Sequence, residues 1–220
     1  MLRRENKRSC GALAIIAVAL ALVCTTLLGA TPAFAQSQDD DVFRVNYFTR
    51  GAGAGSGGTI RVTNPGSPPR GFAEVPPDPL PVCASFYIYR PDEQLTECCS
   101  CWLSHNALRE FDVVTMTNNP LTPDPITRGT IKLVASLSST FGYPTSDAQC
   151  DPRVLTPQLT LRAWITHLNS VGTSTSVTET EFSAATLSDA ERATLEYECY
   201  NAWRLGSGHG RCTCPPPPGP

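Results

Sequence analysis

A mainly β fold is predicted for this chain: a two-sheet sandwich of seven to nine strands, stapled by disulfides, with one amphipathic helix near the C-terminus. Three observations predict it. Apolar and polar residues alternate over short runs, the period of a half-buried strand. Clusters of Gly, Pro, Asn and Ser separate those runs. An even number of cysteines follows an export-type leader.

The leader comes first. Arg3, Arg4, Lys7 and Arg8 stand against Glu5, an uncharged run extends from Gly11 to Ala30, and Ala33-Phe34-Ala35 closes it. A basic start, an apolar middle and an A-x-A exit are the parts of a secretory signal cleaved after Ala35. The expected organisation is a leader over 1–35, a single disulfide-rich β domain over 36–214 and a proline-rich tail over 215–220. Removing the leader takes four of the 17 basic residues and one of the 20 acidic ones, which leaves a net charge of −6. An acidic chain with Lys132 as its one remaining lysine lacks the basic patch that nucleic acid or an anionic membrane requires.

Asp39-Asp40-Asp41 reads as a solvated lead-in, since a calcium loop needs ligands at wider fixed offsets. Val42–Thr49 alternates, with Phe43, Val45 and Tyr47 on one face and Arg44 and Asn46 on the other. The glycine-rich run from Gly51 to Gly58 has no Lys-Ser/Thr after it and leads into a strand, so it is a flexible loop and no phosphate cradle. Thr59–Thr63 is the second strand, and Asn64-Pro65-Gly66 turns the chain. Seven prolines between 65 and 81 stiffen the connection to Val82–Tyr89, where Ala84, Phe86 and Ile88 oppose Cys83, Tyr87 and Tyr89. Gln94–Leu103 is placed as a strand. Arg109–Thr117 also alternates and is read as strand, with 118–125 a loop. Thr130–Leu137 follows, then a turn-rich stretch over 138–158 containing Cys150. Leu159–His167 is the clearest strand, with Leu161, Ala163 and Ile165 inward and Arg162, Trp164 and Thr166 outward. A loop over 172–176 precedes a short strand, Val177–Phe182.

The period then lengthens. Ser188 and Glu191 form a Ser-x-x-Glu capping box, and Leu195, Cys199 and Trp203 recur at helical spacing up to Gly206. Cys199 lies on the apolar stripe, where it can tie the helix to a sheet.

Eight cysteines remain after the leader: Cys83, Cys98, Cys99, Cys101, Cys150, Cys199, Cys212 and Cys214. All eight are disulfide candidates, and their 105 possible pairings are not resolved by sequence. Strand alternation puts Cys99 and Cys101 on one face and Cys98 on the other. Parallel side chains two apart suit a mutual bridge poorly, so each should reach elsewhere. An adjacent Cys98–Cys99 bridge is a strained alternative. A bridge from Cys150 would tether the long 138–158 loop.

The order Val45-Asn46-Tyr47-Phe48, Ile60-Arg61-Val62-Thr63-Asn64-Pro65-Gly66, Cys83-Ala84, Glu97-Cys98-Cys99-Ser100-Cys101, Ile131-Lys132-Leu133-Val134, Leu161-Arg162-Ala163-Trp164, Glu179-Thr180-Glu181-Phe182 and Cys212-Thr213-Cys214 resembles a group of uncharacterised exported bacterial Cys-rich proteins. The resemblance spans about residues 42–214 and implies export and one recurring domain. It implies no activity, substrate or site residues.

His105, His167 and His209 are the histidines, no G-x-S-x-G elbow is present, and His167 falls on an inward strand position. Cys101 with His105 would be a nucleophile and base only with a free thiol. Glu179 and Glu181 share a strand face as a glycosidase pair would, or as a solvated edge does. Trp164, Tyr87 and Tyr89 could form an aromatic ligand patch. The expectation is a non-catalytic structural, adhesion or ligand-binding module, acting on an extracellular or cell-envelope ligand, with no catalytic, cofactor-binding or metal-ligating residue and no cofactor. The alternatives are a metal or thiol-redox protein using the Cys98/Cys99/Cys101 and Cys212/Cys214 clusters, and a secreted hydrolase.

Overall fold

A computed structural model describes residues 42–50, 57–66, 81–117, 126–139, 144–157, 161–171, 174–205, 212 and 214. All fall within the compact unit Gln38–Pro220. The expected leader over 1–35, Asp39–Asp41, most of the glycine run, the proline-rich connection, the expected loop over 118–125, His209 and the stretch 215–220 lie outside the described residues.

Two antiparallel sheets form the sandwich. The first contains β4 (Leu95–Leu103), β3 (Val82–Tyr89), β6 (Arg128–Ser136), β1 (Phe43–Thr49) and β9 (Ser183–Ala184), in that order. The second contains β5 (Leu108–Asp112), β2 (Thr59–Thr63), β7 (Arg162–Val171) and β8 (Ser174–Glu181). Between them lies a core of Phe48, Ile60, Val62, Phe86, Ile88, Phe111, Ile131, Leu133, Ala163 and Ile165, each from an alternate position of its strand. Phe86 and Phe111 meet across it with ring centroids 4.6 Å apart.

The chain passes repeatedly from one sheet to the other. At one side of the sandwich β8 runs into β9 through Phe182, whose side chain is buried in the core and whose N–H donates to Ala163 O (2.8 Å). Arg44 Nη1 donates to Phe182 O (3.2 Å), so the corner is held from both sheets. At the other side β4 leads to β5 around Asn64. Its N–H donates to Ala107 O, its carbonyl accepts from Asn106 N–H, and its side-chain amide donates to Leu103 O. Close approach of strands leaves no room for a side chain at two glycines: a Cβ at Gly58 would run into the Thr166 carbonyl, and one at Gly129 into the Tyr89 carbonyl.

The outer face of the first sheet is covered. Helix α2 (Asp189–Leu205) and the stretch 144–157 pack on Phe43, Tyr87, Tyr89, Cys98 and Val134 through Leu155, Leu195 and Cys199. Ser188 caps the helix, accepting from Glu191 N–H (3.1 Å). The reciprocal half of the capping box is absent, because the Glu191 carboxylate instead takes Lys132 Nζ at 2.6 Å. Lys132 also lies over the Tyr89 ring, 4.6 Å from its centroid, so the buried-side lysine is neutralised beneath the helix.

Two strand expectations need correction. The alternation over Arg109–Thr117 is strand only to Asp112; α1 (Val113–Met116) then makes one helical turn. Asp112 accepts from Thr115 N–H (2.8 Å) as its cap, and Val113 and Met116 go into the core together, as helical positions three apart do. The short strand expected over Val177–Phe182 is longer, starting at Ser174, because β7 and β8 form a hairpin paired as far as Val171 and Ser174.

Candidate functional site

All eight predicted cysteines are in bridges: Cys83–Cys150, Cys98–Cys199, Cys99–Cys212 and Cys101–Cys214. Strand parity accounts for the division. Cys98 faces outward and meets the helix at Cys199, while Cys99 and Cys101 face the core and take the two C-terminal cysteines. Cys83, outward on β3, holds the loop that carries Cys150. The vicinal Cys98–Cys99 bridge is not formed. In this oxidised arrangement none of these sulfurs offers a thiolate, and Cys101 has no free thiol to pair with His105.

Asp147 sits beside the Cys101–Cys214 bridge. Its carboxylate and the two sulfurs all lie within 4.8 Å of one another. Asp147 Oδ1 accepts from Trp102 N–H (2.7 Å) on the edge of β4 and from Arg109 Nη1 (2.9 Å). The Arg109 side chain is buried and the carboxylate is 41% exposed. The 3₁₀ turn Asp147–Gln149 therefore caps the open edge of β4 and neutralises a buried guanidinium in one contact.

His167 is buried at the opposite side of the sandwich, on the inward position that alternation assigned it. Its Nε2 lies 2.8 Å from Thr180 Oγ1, which also accepts from Asn46 Nδ2 (3.1 Å). Nδ1 is buried without a hydrogen-bond partner among the described residues. Tyr47 stacks on the imidazole with centroids 4.5 Å apart and rings 19° from parallel. Burial pushes the imidazole pKa down. A catalytic histidine needs an acid on its other nitrogen; here that nitrogen faces none, and the neutral ring is a packing partner for Tyr47.

Glu97 is a site that sequence reasoning missed. It lies on the core-facing side of β4, two residues before Cys99, opposite Ile88 and next to the bulge at Thr96. It is 3% exposed, Oε1 lacks a partner among the described residues, and burial raises its pKa to about 7. Its parity with Cys99 and Cys101 was the available signal: a carboxylate on an inward strand position.

The paired carboxylates are engaged. Glu179 Oε1 takes Arg61 Nη1 at 2.6 Å, and Glu181 lies 3.6 Å from Arg162 Nη1 and 3.8 Å from Arg44 Nη1. The proposed aromatic patch is divided. Tyr87 and Tyr89 are buried beneath α2, where their hydroxyls donate to Pro152 O (2.5 Å) and Glu198 Oε2 (2.6 Å). Trp164 lies on the other sheet.

That second sheet presents its outer face to solvent. Register aligns Glu110, Arg61, Trp164 and Glu181 across its four strands, and beside that row Asp112 pairs with Thr59 and Thr166 with Glu179. Arg61 is the hub: Nε donates to Glu110 (2.7 Å) and Nη1 to Glu179 and Thr166 (3.2 Å). The Glu110 and Glu179 hydrogen bonds raise its pKa. The exposed apolar side chains of Leu108 and Val177 stand at either side.

Comparison with protein-family models, with curated proteins and with solved structures finds no match. The fold and its cross-links define a disulfide-stapled two-sheet β protein, of the kind that matures in an oxidising environment. Among the described residues no helix is long and apolar enough to cross a membrane.

Proposed function

We propose that this is an exported, non-catalytic binding module that presents the open face of its four-stranded sheet to an extracellular or cell-envelope ligand. The observation that carries the reading is the asymmetry of the sandwich. One sheet is roofed by α2 and the Cys150 loop, while the other leaves Trp164 among charges already ordered by Arg61. A flat face with an aromatic flanked by fixed charges offers stacking and directional hydrogen bonds without a deep cleft. The leader and the resemblance to exported bacterial Cys-rich proteins support export, and the bridges support an oxidising destination. The acidic balance supports a ligand other than nucleic acid or an anionic bilayer.

The test is cosedimentation of the purified domain with isolated cell-envelope material, compared with Trp164→Ala and Arg61→Glu. Retention of the wild type, with loss in both variants at unchanged thermal stability, supports the reading. Undiminished retention of both variants removes the sheet face from consideration. Stoichiometric labelling of one residue by an active-site serine or cysteine probe would favour the hydrolase instead.

A further inference from the structure

We infer that Cys101–Cys214 is an exchange site: the one bridge that opens to an external thiol while the domain stays folded, carrying a partner on Cys214 as a mixed disulfide. Three observations meet there. First, the two C-terminal bridges are duplicated, since Cys99–Cys212 holds the same segment to the same strand two residues earlier. Opening Cys101–Cys214 releases only the chain beyond Cys212, whereas opening Cys83–Cys150 or Cys98–Cys199 frees the loop or the helix that roofs the first sheet. Second, the two sulfurs differ in access. Cys101 is fully buried and Cys214 is partly exposed, so an incoming thiolate meets Cys214 Sγ and leaves Cys101 as the departing sulfur. Third, the Asp147 carboxylate lies within 4.8 Å of both sulfurs and is itself open to solvent. Its partner Arg109 is buried behind it, so the pair turns the carboxylate to solvent, which disfavours anionic thiolates and favours a thiol carried beside positive charge.

The step is an exchange with no net oxidation. A thiolate R–S⁻ attacks Cys214 Sγ and forms the R–S–Sγ bond. The Cys101–Cys214 bond breaks, Cys101 leaves with the electron pair, and it takes a proton from water. The partner chemistry is therefore a thiol on a cationic small molecule or on a basic protein segment. This inference is independent of what the open sheet face binds.

The test incubates native full-length mature protein with cysteamine, a cationic thiol, or glutathione, an anionic one. Samples are quenched with iodoacetamide and mapped by peptide mass spectrometry, with near-ultraviolet circular dichroism followed in parallel. The first species should carry the adduct on Cys214 and the alkyl group on Cys101, with the other six cysteines unlabelled and the dichroism unchanged. Each rate is normalised to the same thiol acting on a small neutral disulfide. On that scale cysteamine should be faster, and added salt should narrow the difference. Asp147→Asn should raise the glutathione rate about fivefold relative to cysteamine, the size of one unit-charge interaction at roughly 4 Å in water-like surroundings. A purely structural role for Asp147 would speed both thiols equally, which would contradict the charge selection. First opening at any other bridge, or joint loss of all four with the dichroism, would overturn the proposal.

Discussion

Glu97 and His167 are buried titratable groups with opposite signs. Burial raises the Glu97 pKa to about 7 against an ordinary 4.5, so the folded protein holds this proton more tightly than the unfolded chain does. Its contribution to stability is full below pH 4.5 and is lost as pH rises through about 7. Burial lowers the His167 pKa, so the unfolded chain is protonated first. That contribution is full above the unfolded value of about 6.5 and is lost as pH falls below it. Glu97→Gln should therefore be near neutral at pH 4 and stabilise by about 1–3 kcal/mol at pH 8, read from urea midpoints. His167→Asn should flatten the loss that sets in as pH falls below about 6.5. Alternation places both side chains on inward faces, so their burial is legible in sequence. The Tyr47 stack on His167 is not, because it joins strands of different sheets whose pairing depends on the whole topology.

Among the elements, the cross-links differ in what they constrain. Cys83–Cys150 closes a 67-residue separation that the other bridges barely shorten, worth about 4 kcal/mol of unfolded-state entropy. Once Cys99–Cys212 is formed, Cys98–Cys199 closes a loop of roughly 14 residues, worth about 3 kcal/mol. With either C-terminal bridge in place, its neighbour closes only about four residues, worth roughly 2 kcal/mol. Paired Cys→Ala variants should therefore lose stability in that order in denaturant titrations. At the helix, Ser188→Ala should cost about 1 kcal/mol, since it removes the cap that Glu191 N–H uses. The cap and the period of α2 are local signals, hence readable. The end of β5 is hidden in the sequence, because Val113 and Val114 are β-branched and continue the alternation, although Asp112 is a cap residue. Helical core contacts at Val113 and Met116 override that preference.

For the whole molecule, the strand order is the feature that sequence does not disclose. Both sheets pair strands distant in the chain: β6 lies between β3 and β1, and β2 lies between β5 and β7. Such non-local pairing makes folding slow and dependent on late contacts, and the cross-links, with separations of 67 to 113 residues, add further long-range ties from β3 and β4 to the 144–157 stretch, to α2 and to Cys212 and Cys214. Refolding from the reduced, denatured state should accordingly be slower by orders of magnitude than refolding with bridges intact, as followed by tryptophan fluorescence. Sandwich class and cysteine role were legible because alternation and an even cysteine count are chain-local; which cysteine meets which is a property of the assembled sheets. The most direct test is a disulfide map of the mature protein by non-reducing peptide mass spectrometry with thiol counting. The predicted result is no free thiol and the four links Cys83–Cys150, Cys98–Cys199, Cys99–Cys212 and Cys101–Cys214. Free cysteines in the folded protein, or a vicinal Cys98–Cys99 link, would contradict it.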